Sequence, residues 1–230
     1  MLQIVIPAAG RGSRFNNSEY TAPKPLIRFE SKSMIEHVIE NLNSENVKFY
    51  IITRFEHDLK RELSKYSNVT VIEINYYTDG PATTSYLVKN LLDPNEELIV
   101  TNCDQIIEDW DEKYFLELSR KYDTSLGCFY SDKPYNSYVK LDENGLVIDI
   151  KEKQVISNIA TNGLHYWKKA KYFFKSYDEM ILNKDSVNGE YYIAPSFNYI
   201  LKDGLTIGIY MFNKHYPIGT PEDLKNYLNK

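Results

Sequence analysis

Cysteine is scarce in this chain, with two in 230 residues. Cys103 and Cys128 have no metal-ligand spacing and form no disulfide framework. Runs of basic residues are missing as well. The net charge is −5 and no five consecutive Lys or Arg occur, which argues against nucleic acid or an anionic membrane as the main partner. No stretch approaches a membrane span, and the start carries no signal-peptide pattern, so the expected location is the cytoplasm. No nucleophile elbow appears. His37, His57, His165 and His215 are scattered, so a hydrolytic triad is not indicated. The fixed-spacing phosphate loops are also absent. There is no Gly-x-x-x-x-Gly-Lys-Ser/Thr, and Phe15 stands where Gly-x-Gly-x-x-Gly needs its third Gly. No internal repeat or low-complexity linker interrupts the chain.

What is present is a core and a loop. With 43% hydrophobic residues the chain can bury a sizeable interior, as one domain. The apolar run Leu2–Ile6 reads as a buried strand. It leads into Ala8-Ala9-Gly10-Arg11-Gly12-Ser13, then Arg14 and Pro23-Lys24-Pro25-Leu26. Small residues let a ligand approach the backbone closely, and successive N–H groups in such a loop form an anion-binding concavity. Arg11, Arg14 and Lys24 add fixed positive charge around it. That equipment suits a triphosphate and charge that moves during reaction.

Strand-like and helix-like stretches then alternate. Lys48–Thr53, Val69–Ile74, Glu97–Thr101 and Ser125–Tyr130 read as strands. Met34–Leu42, Phe55–Tyr66, Ala82–Leu92 and Glu112–Lys121 read as helices, the first with a Ser33/Glu36 capping box. The alternation predicts parallel, helix-covered strands with ligands at their carboxyl ends. The second half changes character. Asp142-Glu143-Asn144-Gly145 signals a hairpin between Tyr138–Leu141 and Leu146–Lys151. A strand at Gly163–Trp167 and helices near Lys171–Leu182 and Tyr191–Leu201 follow. A strand at Leu205–Phe212 and a helix Pro221–Leu228 capped by Thr220 complete the chain. This half reads as a mixed extension of the same sheet.

The stretch Ala8 to Leu26 resembles the N-terminal signature of sugar-phosphate nucleotidylyltransferases, a Gly-x-Gly-Ser/Thr-Arg loop followed by Pro-Lys-Pro. Weaker matches are the strand-end Asn102-Cys103-Asp104, the loop Thr78–Thr84, Glu152-Lys153-Gln154 with Asn158–Tyr166, Asn188-Gly189-Glu190 and His215–Thr220. The resemblance implies a Rossmann-like three-layer α/β/α sandwich with a mostly parallel central sheet, of the nucleotide-diphospho-sugar transferase type. It implies one domain over residues 1–230, with a nucleotide-binding half, 1–130, and an acceptor-binding half, 131–230.

The chemistry it implies is transfer of a nucleotidyl group from a nucleoside triphosphate to a small phosphorylated acceptor, a sugar, polyol or similar phosphate. Arg14 and Lys24 would be catalytic, and Asp104 would hold Mg²⁺. Ala8, Ala9, Gly10, Arg11, Gly12, Ser13, Arg14, Gly80, Thr83 and Asn102 would meet the nucleotide. Glu152, Lys153, Asn162, Gly163 and Glu190 would meet the acceptor. The loop form Ala-Ala-Gly-x-Gly-Ser-Arg and the compact length look most like cytidylyltransferases using CTP in capsule or surface-polysaccharide biosynthesis. Three departures stand out. Gln154 replaces a usual Pro, Ser137 stands where a Gly is common, and Pro217 replaces the Asp that supplies a second metal carboxylate in many members. A homo-oligomer and a fusion to another pathway enzyme are both compatible with the resemblance.

Bland readings exist for several of these residues. Lys151-Glu152-Lys153 also fits a solvated hairpin, Glu190 a helix first turn, and Gly80-Pro81 an ordinary turn. Other activities stay open too. These are a UTP- or dTTP-dependent sugar-1-phosphate pyrophosphorylase, a glycosyltransferase of the related fold, with Asn102-Cys103-Asp104 as a degraded Asp-x-Asp, and a nucleotide sensor.

Overall fold

A parallel run of four strands carries the site at its carboxyl ends. The computed structural model describes residues 1–16 and 19–230; Asn17 and Ser18, inside the stretch from Ala8 to Leu26, lie outside the described residues. The elements begin with β1 (Leu2–Ala8), the short pair β2 (Arg28–Phe29) and β3 (Lys32–Ser33), and α1 (Met34–Leu42). Then come β4 (Val47–Arg54), α2 (Leu59–Glu62), β5 (Val69–Ile74), α3 (Pro81–Tyr86), β6 (Leu98–Val100), β7 (Gln105–Ile107), α4 (Glu112–Ser119) and β8 (Thr124–Tyr130). The second half adds β9 (Ser137–Leu141), β10 (Val147–Glu152), β11 (Ile159–Trp167), α5 (Ala170–Leu182) and α6 (Ile193–Lys202). It closes with β12 (Ile207–Met211), β13 (His215–Pro217) and α7 (Pro221–Leu228).

The main sheet runs β10-β9-β11-β6-β1-β4-β5, with β8 on β11 and β12 on β8. β6, β1, β4 and β5 are parallel, in register Val5↔Val100, Ala8↔Thr53 and Arg54↔Ile74. β11 is antiparallel to β6 and to β8. The alternation predicted β8 as another parallel strand of the first group. β8 does run in that direction and pairs parallel with β12, but β11 is inserted between β6 and β8, a long-range pairing with no local sequence signal. β11 slips register between Thr161 and His165, which places Asn162-Gly163 at a break in the ladder.

Helices cover both faces. Ile35, Val38, Ile39 and Leu42 of α1 recur at helical spacing and pack with Leu59, Phe115 and Leu116 on Ile4, Ile6, Phe49 and Ile51. The other face buries Val5, Ile52, Val100 and Trp167 against Ala82, Phe173 and Phe197. α1 opens with the expected capping box, Ser33 and Glu36 each bonding the other's backbone. A third cluster joins Phe15, Ile27 and Met34 to Ile106, Ile218 and Leu224. It holds the glycine loop, the lysine turn and the 218–220 segment together.

Two predicted helices are shorter than expected. Phe55–Tyr66 becomes a 3-10 turn, Phe55–His57, and then α2, because Asp58 sits in the left-handed region at φ 49°. Ala82–Leu92 becomes α3 and a separate 3-10 turn, Lys89–Leu91. Thr84 lies in α3 with its hydroxyl on the Gly80 carbonyl at 3.0 Å, a back-bond that competes with helix propagation.

Candidate active site

The glycine loop turns sharply onto the lysine turn. Gly12 takes φ +62°, and a Cβ there would lie 3.1 Å from Lys24 Cβ, so both the backbone angle and the space call for glycine. Ala8 and Ala9 are buried, while Arg11, Ser13 and Arg14 are exposed. Phe15 is buried in the third cluster and anchors the turn that presents Arg14. Lys24 begins the 3-10 turn Lys24–Leu26, and its ammonium donates to Asp104 Oδ2. Both partners of this pair are mostly buried.

Asp104 follows β6. The Ile218 amide donates to its carbonyl at 2.9 Å. A Cβ on Gly219 would lie 2.5 Å from Asp104 Oδ2 and 3.6 Å from Arg14 Nη1. Glycine at 219 therefore lets the carboxylate and the guanidinium share one corner. Burial alone would push the Asp104 carboxyl up, but the charge and hydrogen bond of Lys24, then the charge of Arg14, hold it below the usual range. Burial pushes the neighbouring Cys103 thiol up to about 11, so it is no nucleophile at neutral pH. His215 Nε2 lies 3.0 Å from Gln105 Oε1, and burial drives the ring down to about 4, which keeps it neutral.

A second cluster gathers residues of the later half. Ser137 donates to Glu152, while Lys153 Nζ donates to the Tyr192 hydroxyl, which donates to Glu190. Burial raises the Glu152 pKa against the Ser137 bond and the Lys153 charge, and Glu190 adds to the rise. The Tyr192 phenol is raised first by burial and then by Glu190, with Arg14 opposing; Arg14 is thus within electrostatic reach of this cluster. Asn162 is buried, accepts from the Leu164 amide at 3.0 Å, and leaves Nδ2 without a partner. Gly163, at φ +87°, has the Asn102 amide where a Cβ would be, which ties the bulge of β11 to the end of β6.

Gly10 is exposed, with open space where a Cβ would be, while Gly80 and Thr83 are engaged otherwise. Gly80 has φ +118°, and the close approach it permits is to the Tyr191 backbone, 2.6 Å from a Cβ placed there. The Thr83 hydroxyl accepts from Tyr177 on α5 at 3.1 Å. Reading the sequence missed Gly219, Ser137 and Tyr192 as members of these clusters. The Ile-Gly-Thr pattern was a signal for Gly219, and the Ser137 departure marked that position; nothing local marked Tyr192.

Among the described residues no group of three or more His, Cys, Asp or Glu could hold a metal ion. Pro217 pairs with Gln105 and brings no carboxylate. A hard divalent cation held by one carboxylate and completed by phosphate oxygens and water fits Asp104; a protein-only cage does not.

Over residues 3–229 the sequence matches the family model described as Nucleotidyl transferase. The chain belongs to the nucleotidyl transferase family. It is 25% identical over 227 residues to the bifunctional protein GlmU of Methanocaldococcus jannaschii, a match covering 97% of this chain and 52% of that protein. The chain thus spans about half the length of that relative. A stretch of 57 residues is 42% identical to the 2-C-methyl-D-erythritol 4-phosphate cytidylyltransferase of Acinetobacter baylyi, covering 25% of this chain and 23% of that one. Among solved structures, a nucleoside-diphosphate-sugar pyrophosphorylase from Vibrio cholerae superposes with a TM-score of 0.88 at 25% identity, covering 99% of this chain and 100% of that one. The nucleotidyl transferase fold is the mixed α/β sheet with helices on both faces described above.

Proposed function

We propose that this chain transfers a nucleotidyl group, with CTP as donor and a sugar, polyol or choline-type phosphate as acceptor, in capsule or surface-polysaccharide synthesis. The observation that carries the reading is the meeting of Lys24, Asp104 and Arg14 beside Gly219, at the mouth of the glycine loop. The loop form and the cytidylyltransferase stretch favour CTP over UTP or dTTP. In this reading residues 1–130 serve the nucleotide and 131–230 the acceptor.

An oxygen of the acceptor phosphate attacks the α-phosphorus. A new P–O bond forms, the bond to the bridging α–β oxygen breaks, and pyrophosphate leaves with the electron pair. The attacking oxygen is already anionic at neutral pH, so no general base is needed; neutral His215 and protonated Cys103 agree with that. Catalysis is then positioning and charge neutralisation. Arg14 and the loop amides hold the β and γ phosphates. Lys24 exchanges Asp104 for the α-phosphate and offsets its growing charge. Mg²⁺, when bound to Asp104, supplies further neutralisation of phosphate oxygens. Lys153 holds the acceptor's phosphate, while Glu152 and Glu190 accept from its hydroxyls in place of Ser137 and Tyr192.

Pyrophosphate release tests the reading. CTP, UTP, dTTP, ATP and GTP are each offered with a panel of phosphorylated sugars, polyols and phosphocholine. The expected result is release with CTP and one acceptor class, dependent on a divalent cation. Turnover of a nucleotide-sugar without pyrophosphate would indicate glycosyl transfer instead.

A further inference from the structure

Two guanidinium groups share one tyrosine ring. Arg11 Cζ lies 4.1 Å and Arg54 Cζ 4.0 Å from the centroid of Tyr77. The three residues come from the carboxyl ends of three adjacent parallel strands. Arg11 follows β1, Arg54 ends β4, and Tyr77 follows β5. Tyr77 is half-exposed, whereas Arg54 is buried, at 9% exposure. Nη2 of Arg54 pairs with Glu56 at 2.8 Å, but its buried Nε and Nη1 have no acceptor. Among the described residues Arg54 is the only cationic side chain with buried, unpartnered nitrogens. Leaving such donors unmet is costly, and the π face of Tyr77 is the compensation at hand.

We propose that Tyr77, backed by Arg54, is a positioning residue that holds Arg11 ready for the triphosphate. This rests on the functional reading above. A free arginine has many rotamers, and a partner that fixes it removes that cost from binding. A guanidinium lying flat on a ring contacts it through its face. Its five N–H donors point outward in the plane and stay available to phosphate oxygens. Arg11 has no hydrogen bond or ion pair of its own among the described residues, so the ring is what orients it. Two guanidiniums against the single carboxylate of Glu56 also leave a net positive charge there, which favours a polyphosphate.

The test is equilibrium binding of CTP, with UTP, dTTP, ATP and GTP in parallel, to six proteins: wild type, Tyr77→Leu, Tyr77→Phe, Arg54→Met, Arg11→Ala and the Arg11→Ala/Tyr77→Leu double variant. Tyr77→Leu is expected to weaken binding about three- to tenfold, the size of one cation–π contact. Tyr77→Phe keeps the ring and is expected to match wild type. Arg54→Met, which removes the backing, is expected to follow Tyr77→Leu. In the Arg11→Ala background Tyr77→Leu is expected to add nothing, and KM for the acceptor is expected to stay unchanged throughout. An unchanged affinity in Tyr77→Leu, or an equal loss with and without Arg11, overturns the inference. Failure of the wild type to bind any of the five nucleotides overturns the functional reading and the inference with it.

Discussion

At Gly219 a missing methyl group decides where Asp104 can sit. The Cβ of an alanine would meet Oδ2, the far end of a side chain, at 2.5 Å, so the carboxylate yields and the backbone does not. Gly219→Ala is expected to keep the melting temperature within a few degrees of wild type. Moving Asp104 off Lys24 by about an ångström is expected to lower kcat/KM about 10- to 100-fold. A variant with normal kcat/KM would show that the corner is not catalytic. His165 gives a second test. It is buried among Trp167 and Phe197, and neither ring nitrogen meets a partner in hydrogen-bond geometry. Burial drives its pKa from 6.5 to about 4, against weak support from the Val100 and Gly163 backbone. Between those values the unfolded chain binds the extra proton, so stability falls as pH drops through that window, by up to about 3 kcal/mol. His165→Leu is expected to flatten this slope by about one proton in urea unfolding at pH 7, 6, 5 and 4.5. Parallel curves for the two proteins would contradict it. At this scale the glycine loop, Lys24 and Asp104 were legible because they form a contiguous pattern or end an apolar strand. Gly219's contact and Tyr192's bonds were not, since both depend on partners far along the chain.

Among elements, the β5–α3 connection is held against backbone. Gly80 combines φ +118° with Tyr191 backbone atoms 2.6 Å from any Cβ, and backbone cannot step aside as a side chain can. The Asp79 carbonyl and the Ala82 amide are also bonded to Tyr191, at 2.7 and 3.0 Å. Gly80→Ala is expected to cost about 2–4 kcal/mol in denaturant unfolding, from strain and clash together. Gly145→Ala, at φ +79° but in open space, is expected to cost about 1–2 kcal/mol. Equal losses would mean that the contact with Tyr191 carries no energy. Helix α1 and the hairpin β9–β10 were legible because capping, spacing and turn residues agreed locally. α2 was not, because Asp58 adopts a left-handed angle inside an apparently helical pattern. β7 and β13 are three residues each and pair only with one another, too short for periodicity to mark.

Over the whole molecule, Arg14 stands in electrostatic reach of both clusters, through Asp104 in one and Tyr192 in the other. The parallel core and the mixed extension were legible as a change in pattern after residue 130. The insertion of β11, which brings Gly163 against Asn102, was not. If the halves divide the substrates as proposed, Lys153→Ala is expected to raise KM for the acceptor phosphate several-fold and leave KM for the nucleotide near wild type. The reverse result would exchange the two assignments. The central claim is charge neutralisation at the α-phosphate by Lys24, and pyrophosphate release in wild type and Lys24→Ala tests it most directly. The account predicts one pyrophosphate per acceptor consumed in the wild type, and a rate lower by about 10²–10³ in a variant with an unchanged circular dichroism spectrum. A folded Lys24→Ala protein that releases pyrophosphate at the wild-type rate would contradict it.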